Sequence, residues 1–310
     1  MSGYTVDEIK NIGRLLLPPN SNFSEEQISA IMSHHSFDVV ACPGSGKTAA
    51  LITKIALLLK QLDNDKQAKG ICVITHTNVG VSEILDKLKL VGINNITHPH
   101  FIGTIHDFFN SFFSIRAYDY LMNNNKNLVF LEDDEFFQYC SKVFNRNKPA
   151  WWTSPLARTA ITNSQLYIND DMSFRLVGLE DRSEQYKGIL LNTFKDVLKQ
   201  GILCHRDSLI LCDWYTRYFK SEITKAIRNR FSFVFMDETQ DTSQTQYLIL
   251  ERIFNEENTV DDQIVVQKFG DPYQALYNLW NGEEDSWVPD EEKSLQISTS
   301  NCKNIKNNMH

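Results

Sequence analysis

The 310-residue sequence lacks several features that would place it in a special class of protein. Its six cysteines are scattered without a Cys-x-x-Cys pair, which argues against a disulfide or zinc framework and indicates reduced thiols. No apolar stretch approaches the ~18–20 residues that a membrane span requires. The N-terminus shows no basic region followed by an apolar one, so no secretory signal is evident. These absences predict a cytoplasmic protein that does not associate with a membrane.

Basic residues are in deficit as well. The chain has 31 Lys and Arg against 39 Asp and Glu, which gives a net charge of −8. A protein that coats nucleic acid through bulk electrostatics is normally basic, so the total charge argues against that class. A local groove that is basic or neutral is still compatible with the negative net charge, because much of the acidic charge lies in runs, at 132–135, 283–285 and 290–292.

Strand and helix patterns alternate in two separated parts of the chain. Apolar runs typical of parallel strands buried on both faces lie at 71–75, 233–236 and 264–266. Apolar residues at helical spacing follow at 79–90 and 244–254. Residues 113–205 are aromatic-rich and indicate a mostly helical segment. We therefore predict an α/β domain from residues 1–112 and 206–300, interrupted by a helical insertion at 113–205.

Residues 41–48 read Ala-Cys-Pro-Gly-Ser-Gly-Lys-Thr and follow an apolar run at 37–40. A strand, a glycine loop and a helix in this order are typical of a phosphate-binding loop, whose backbone N–H groups surround an anion. Lys47 is then expected to reach the outer phosphates, and the Thr48 hydroxyl to hold Mg²⁺. The alternative is an ordinary glycine-rich turn before a helix.

The run at 233–236 ends in two adjacent carboxylates, Asp237 and Glu238. In phosphate-loop enzymes the first carboxylate orients Mg²⁺, and the next can activate the attacking water. The alternative is a strand that ends in a solvated acidic turn. The phosphate loop upstream favours the catalytic interpretation.

Six segments occur in the order found in the UvrD/Rep group of superfamily-one DNA helicases, which this chain resembles. Residues 41–48 resemble motif I, and residues 237–241, Asp-Glu-Thr-Gln-Asp, resemble motif II. Residues 23–27 resemble the Q motif. Motifs Ia, Ib and III have their counterparts at 75–78, 103–106 and 270–277, respectively. The match covers about residues 20–300.

The resemblance implies a P-loop, RecA-like parallel sheet with helices on both faces and a mostly helical inserted subdomain. It implies ATP hydrolysis with Mg²⁺, coupled to 3′-to-5′ movement along single-stranded DNA, with single-stranded or duplex-junction DNA as partner. Residues 301–310 would begin a second RecA-like domain that completes the ATP site.

The same resemblance assigns roles to individual residues. ATP would be bound by Gln27, which reads the adenine edge, and by Pro43, Gly44, Ser45, Gly46, Lys47, Thr48 and Ala49. Thr48 and Asp237 would hold Mg²⁺, and catalysis would use Lys47, Glu238 and Gln274. DNA would be contacted by Thr75, His76, Thr77, Asn78, Thr104, His106, Tyr277 and Trp280.

Several of these residues have simpler explanations. Gln27 completes a helix-capping box with Ser24. His106 fits a hydrogen-bonded residue at a helix start, and Tyr277 fits a core position. Residues 142–152 interleave basic residues with two tryptophans; they would either contact a DNA backbone or form a surface turn with the tryptophans packed inward.

The chain also departs from the family pattern. His76 stands where an aromatic residue is usual in motif Ia, and Leu279, with Trp280 one residue later, stands where a stacking aromatic is usual. Lys303 stands where motif IV carries arginine, and an arginine at this type of site contributes ~10³–10⁵ in turnover.

Motifs V and VI of the family have no match in this sequence. Together with Lys303, this leads to the expectation that the isolated chain unwinds no DNA and has at most slight DNA-stimulated ATPase activity. A separate C-terminal motor half is one expected partner. Two alternatives stay open: a non-catalytic half-motor that binds ATP and DNA, and a UvrD-like NTPase that acts with a nuclease in bacterial antiphage defence.

Overall fold

The computed structural model describes residues 4–42, 44–65, 69–123, 126–254, 264–272, 274, 287–289 and 293–297. It divides into two compact units. The first unit is formed by Met1–Ile105 and Ser221–His310, and the second by His106–Lys220.

The first unit alternates strands and helices along the chain. Its helices are α1 (Val6–Leu16), α2 (Glu25–Met32), α3 (Lys47–Asp65), α4 (Asn78–Leu90), α11 (Lys220–Arg230) and α12 (Gln244–Phe254). Its strands are β1 (Phe37–Ala41), β2 (Gly70–Thr75), β3 (Phe101–Thr104), β8 (Phe231–Met236), β9 (Val265–Gly270) and β10 (Ser294–Ile297).

These strands form one parallel sheet in the order β10-β1-β9-β8-β2-β3. All six residues of β2 are buried, and so are successive residues of β8 from Phe233 to Met236. Because neighbouring side chains of a strand point to opposite faces, both faces of these strands are covered. This confirms the predicted α/β fold with a RecA-like parallel sheet.

One face of the sheet packs against α1 to α4. Leu51, Ile52, Ile55 and Leu58 of α3 are fully buried there, in a cluster that includes Phe233 and Phe235 of β8. Full burial of such a side chain contributes about 1.5–3 kcal/mol, so this interface is a major source of stability for the unit. None of the helices in the described ranges is long and apolar enough to cross a membrane.

The second unit is mostly helical. Its helices are α5 (Ile105–Phe109), α6 (Ile115–Met122), α7 (Asp133–Asn147), α8 (Arg158–Thr162), α9 (Glu184–Lys199) and α10 (His205–Tyr218), with a π turn at Asn110–Ser114 between α5 and α6. Its strands are β4 (Val129–Phe130), β5 (Gln165–Ile168), β6 (Phe174–Val177) and β7 (Ile202–Leu203).

Two features of this unit differ from the sequence interpretation. Strands β5 and β6 form an antiparallel hairpin in a segment where no strands were predicted. The unit also extends beyond the predicted insertion, 113–205, at both ends. The first and last parts of the unit are joined by hydrogen bonds between the π turn and α10. The Ser114 hydroxyl donates to the Ser208 carbonyl at 2.9 Å, and the two hydroxyls lie 3.0 Å apart.

Gly70 offers a direct test of packing at the β2–β3 side of the sheet. A Cβ added there would lie 2.8 Å from the Pro99 carbonyl carbon and 2.9 Å from the His100 nitrogen, both of which are backbone atoms. Because backbone yields less readily than a side chain, we expect Gly70→Ala to destabilise the first unit by about 1–3 kcal/mol.

Gly188, in the exposed face of α9, is the matched control, since an added Cβ meets nothing within 4 Å. Gly188→Ala should stabilise the second unit by up to about 1 kcal/mol through helix propensity. Scanning calorimetry checks both variants. A Gly70→Ala protein that melts at or above the wild-type temperature contradicts the packing described here.

Candidate active site

The loop between β1 and α3 has the backbone of an anion-binding turn. Gly44 and Gly46 have φ values of +74° and +77°, which favour glycine. A Cβ at Gly46 would also lie 2.5 Å from the Gln27 side-chain nitrogen. Helix α3 begins at Lys47, and the first N–H groups of a helix have no carbonyl partner within it. The N–H groups of Lys47, Thr48 and Ala49 therefore favour an anion at this loop.

Lys47 lies against both predicted carboxylates. Its ammonium is 2.8 Å from Glu238 Oε1 and 3.4 Å from Asp237 Oδ1. Asp237 is held at the end of β8, where its N–H donates to the Ile74 carbonyl of β2 at 2.9 Å. The fold thus brings together the two parts of the site that were predicted from the sequence, the loop lysine and the carboxylate pair.

The two carboxylates respond differently to their surroundings. Burial raises the pKa of Asp237, and the charge of Lys47 only partly opposes it. Burial also acts to raise the pKa of Glu238, but the charge of Lys47 and hydrogen bonds from Lys47 and Gln240 lower it overall. Glu238 is thus the more readily ionised of the two. It also has a left-handed backbone with φ of 54°, an uncommon conformation for a residue other than glycine.

Gln240 connects these carboxylates to the end of β9. Its Nε2 donates to Glu238 Oε2 at 2.6 Å and lies 3.3 Å from Gln274 Oε1. Its own Oε1 accepts the Asp271 N–H at 3.1 Å. Since β9 lies between β1 and β8, Gln274 is positioned beside the carboxylate pair. Sequence reasoning did not select Gln240, although it lies inside the segment that resembles motif II.

Gln27 has two roles in the structure. Its Oε1 accepts the Ser24 N–H at 2.7 Å and its N–H donates to Ser24 Oγ, which is the capping box. Its Nε2 also donates to the Ser45 carbonyl at 2.7 Å. The helix-capping explanation therefore holds, and the same side chain contacts the phosphate loop.

A second polar group lies where β2 and β3 end. Thr75 pairs in register with Thr104, and both are buried. Thr77 caps α4, its Oγ1 accepting the Gly80 N–H at 3.0 Å, and Asn78 is exposed. These four predicted DNA-contact residues share the edge at which the phosphate loop and the carboxylates also lie.

His76 joins that edge to the segment after the carboxylates. Its Nε2 is 2.9 Å from the Thr242 hydroxyl. The charge of His76 is among the smaller influences that lower the pKa of Glu238. Thr242 could not be identified from the sequence, because only the fold brings these two segments together.

The remaining predicted contacts belong to the second unit or lie outside the described residues. His106 belongs to the second unit, where its ring lies 4.9 Å from that of His205 and burial lowers its pKa. Tyr277, Trp280 and Pro43 lie outside the described residues.

The two tryptophans of the second unit differ from each other. The rings of Trp151 and Trp152 are stacked at 5.7 Å, and Trp152 is half-buried at 5.6 Å from Tyr186. Trp151 is 68% exposed. Of the two tryptophans, only Trp152 is therefore packed inward.

The loop fits a phosphate with a bound magnesium ion. The Ser45 hydroxyl is buried and has no hydrogen-bond partner among the described residues, so it has a donor available for a phosphate oxygen. Thr48 and Asp237 offer one hydroxyl and one carboxylate. Mg²⁺ typically binds through one or two carboxylates together with substrate phosphates and waters, so this small set of oxygen ligands suits it.

Comparison with known proteins assigns the pattern to a family. The family described as UvrD/REP helicase N-terminal domain matches residues 22–293. The match includes the phosphate loop, both carboxylates and Gln274.

Individual relatives are distant and longer. The chain is 26% identical to a probable DNA helicase II homolog of Mycoplasma capricolum, across 84% of this chain and 35% of the relative. It is 24% identical to the Gabija protein GajB of Bacillus cereus, across 87% and 46%. It is 24% identical to the ATP-dependent DNA helicase srs2 of Schizosaccharomyces pombe, across 84% and 30%. The chain therefore spans less than half the length of these relatives.

The contact of Lys47 with both carboxylates predicts a titration result. Replacing Lys47 by Met removes the charge that lowers the pKa of Glu238, so that pKa should rise. Side-chain carboxyl NMR of isotope-labelled protein measures it. Lys268→Met is the matched control, because the Lys268 ammonium pairs with Glu251 at 2.6 Å. A Glu238 pKa that is equal in wild type and Lys47→Met would contradict the ion pair.

Proposed function

The chain belongs to the UvrD/REP helicase N-terminal domain family, and from that premise we propose that it binds and hydrolyses ATP to drive movement along DNA. The observation that carries this proposal is the contact between the phosphate-loop lysine, Lys47, and the Glu238 carboxylate. The 3′-to-5′ direction of movement is proposed from the resemblance to the family alone.

Each residue of the cluster has a proposed role. Lys47 transfers from Glu238 to the outer phosphates of ATP, because its ammonium is attracted to their greater negative charge. Glu238, ionised at neutral pH, then accepts a proton from the water that attacks the terminal phosphate. Gln240, which donates to Glu238 Oε2, keeps the other carboxylate oxygen directed at that water. Glu238 is therefore the general base.

Thr48 and Asp237 would hold Mg²⁺, which neutralises phosphate charge when it is bound. Gln27 and the loop residues Pro43 to Ala49 would hold the nucleotide. Asp237 keeps its position through its backbone bond to β2, which fixes its carboxylate beside Lys47.

The DNA track is proposed to follow the edge formed by Thr75, His76, Thr77, Asn78 and Thr104. Two contacts lie near Glu238. Gln274 contacts Gln240, which donates to Glu238. His76 contacts Thr242, in the segment that follows Glu238. ATP binding and DNA binding are proposed to influence each other through these contacts. His106, Tyr277 and Trp280 are proposed as further DNA contacts.

A second candidate keeps the ATPase and changes its biological setting. This candidate is a UvrD-like NTPase that acts with a nuclease partner in antiphage defence. Similarity to the Gabija protein GajB favours the antiphage setting, and the nuclease partner is proposed from the family resemblance alone. Co-purification of this chain with a nuclease encoded beside it, from the native cell, would favour this candidate over a repair helicase. A cytoplasmic location is proposed for either candidate.

The first prediction of this proposal concerns ATP binding. Lys47→Ala should reduce the affinity for a non-hydrolysable ATP analogue with Mg²⁺ at least tenfold, because a charge-assisted contact to phosphate is lost. Titration calorimetry measures the affinity. Lys89→Ala, which removes an exposed lysine paired with Asp86 on α4, should bind as wild type does. Equal affinities in wild type and Lys47→Ala would refute the site.

The second prediction separates binding from chemistry. Glu238→Gln keeps the size of the side chain and removes its capacity to accept a proton. ATP binding should therefore persist, while turnover, which is expected to be slight in the isolated chain, falls to background. Phosphate release is measured with and without single-stranded DNA, at a stated salt concentration. Glu251→Gln, which alters a carboxylate that pairs with Lys268, is the control. If Glu238→Gln turns over ATP as fast as wild type does, the general base is a different residue. If wild type itself shows no turnover, the non-catalytic half-motor is favoured.

A further inference from the structure

Lys54 of α3 is a buried lysine that the proposed chemistry does not use. It is 1% exposed, and its ammonium is 5.6 Å from the centre of the Phe37 ring. It donates to the Ala30 carbonyl at 2.8 Å and to the Ser33 carbonyl. Burial lowers its pKa to about 7. A buried amine is costly unless its donors are satisfied, and here both acceptors belong to one other segment.

That segment is the C-terminal end of α2. Ala30 lies in the last turn of the helix, and Ser33 is its C-cap. Carbonyls at a helix end have no partner within the helix and carry partial negative charge, so they favour a cation or a strong donor. The last turn of α2 contains no basic residue of its own. Lys54 supplies a charged donor from the neighbouring helix, and the Gln267 side chain of β9 donates to the Ser33 carbonyl as well, at 3.3 Å.

The opposite end of α2 meets the phosphate loop. Gln27, in the first turn of α2, donates to the Ser45 carbonyl at 2.7 Å. Helices α2 and α3 are therefore joined at two places, by Gln27 near Lys47 and by Lys54 further along α3. With both ends held, α2 has little freedom to slide or tilt, and the Gln27 amide keeps a fixed position over the loop.

The Gln27 amide retains hydrogen-bonding capacity after these contacts. An amide has two N–H groups and two lone pairs on its oxygen, and one of each is used by Ser45 and Ser24. The remaining N–H and lone pair match the acceptor and donor of the N7 and N6 edge of adenine. Guanine has acceptors at both positions, so it fits the same amide less well.

We propose that Lys54 is a positioning residue for recognition of the nucleotide base: by fixing the end of α2, it holds Gln27 where the amide distinguishes adenine from guanine. The inference rests on the proposed ATP site and adds a residue that contacts neither phosphate nor base. Lys54 and Gln27 should then act as one unit on base preference, while the phosphate contacts of Lys47 are unaffected.

The test compares three ligands with Mg²⁺ by titration calorimetry: a non-hydrolysable ATP analogue, the matching GTP analogue and inorganic tripolyphosphate. The variants are Lys54→Met, Gln27→Ala and the double variant. Thr53→Val is the matched control, because Thr53 is equally buried in α3 but its hydroxyl donates only to Ala49 of its own helix.

We expect wild type to prefer the ATP analogue over the GTP analogue. Lys54→Met should reduce that preference by roughly 3- to 10-fold, the worth of one hydrogen bond, while the tripolyphosphate affinity changes less than about twofold. In the Gln27→Ala background Lys54→Met should have no further effect on the preference. Thr53→Val should keep the wild-type preference. Lys54→Gln, which retains N–H donors, is measured in the same way and takes the place of the Met variant if that variant does not fold.

Several outcomes overturn the inference. Wild-type base preference in Lys54→Met removes the role directly. An equal loss of ATP, GTP and tripolyphosphate affinity shows that Lys54 only maintains α3. Additive effects of the two substitutions show that Lys54 does not act through Gln27. If wild type binds tripolyphosphate but has no base preference, base recognition by Gln27 fails as well; if it binds none of the three ligands, the ATP site itself is wrong.

Discussion

The ion cluster of Lys47, Asp237 and Glu238 is the interaction on which the organisation of the first unit depends. It joins two segments that are 190 residues apart in the chain, the start of α3 and the end of β8. A buried carboxylate such as Asp237 is costly without a nearby positive charge, and Lys47 supplies that charge. The cation needed to balance the carboxylates is also the cation that a phosphate would attract. The charge of the buried carboxylates is therefore balanced by the same group that the proposed chemistry moves.

The strand order determines what surrounds this cluster. Placing β9 between β1 and β8 brings Gln274 beside Gln240, and Gln240 beside Glu238. Placing β2 next to β8 brings His76 beside Thr242 on the other side. Carboxyl ends of parallel strands meet at one edge, where ligands typically bind in such sheets. One sheet edge thus holds the proposed nucleotide site and the proposed DNA track, with hydrogen bonds between them.

Much of this arrangement could be predicted from the sequence. The buried runs that became β2 and β8 and the helical spacing of α4 and α12 were predicted correctly, because local hydrophobic patterns are sufficient to identify them. Lys47 and the carboxylates were assigned by residue type and order. The hydrogen-bond partners were not predicted, since Gln240, Thr242 and Lys54 gain their meaning only from contacts distant in sequence. The β5–β6 hairpin was missed because its strands are short and lie in an aromatic-rich segment that is mostly helical.

The most direct measurement is a crystal structure of this chain with a non-hydrolysable ATP analogue and Mg²⁺. We expect the Lys47 ammonium to move from Glu238 to the outer phosphates, with Thr48 and Asp237 at the metal. Glu238 should then face the terminal phosphate, still joined to Gln240. An analogue bound away from the loop at 44–48, or a Lys47 that stays on Glu238 while the phosphates are bound, would contradict the account.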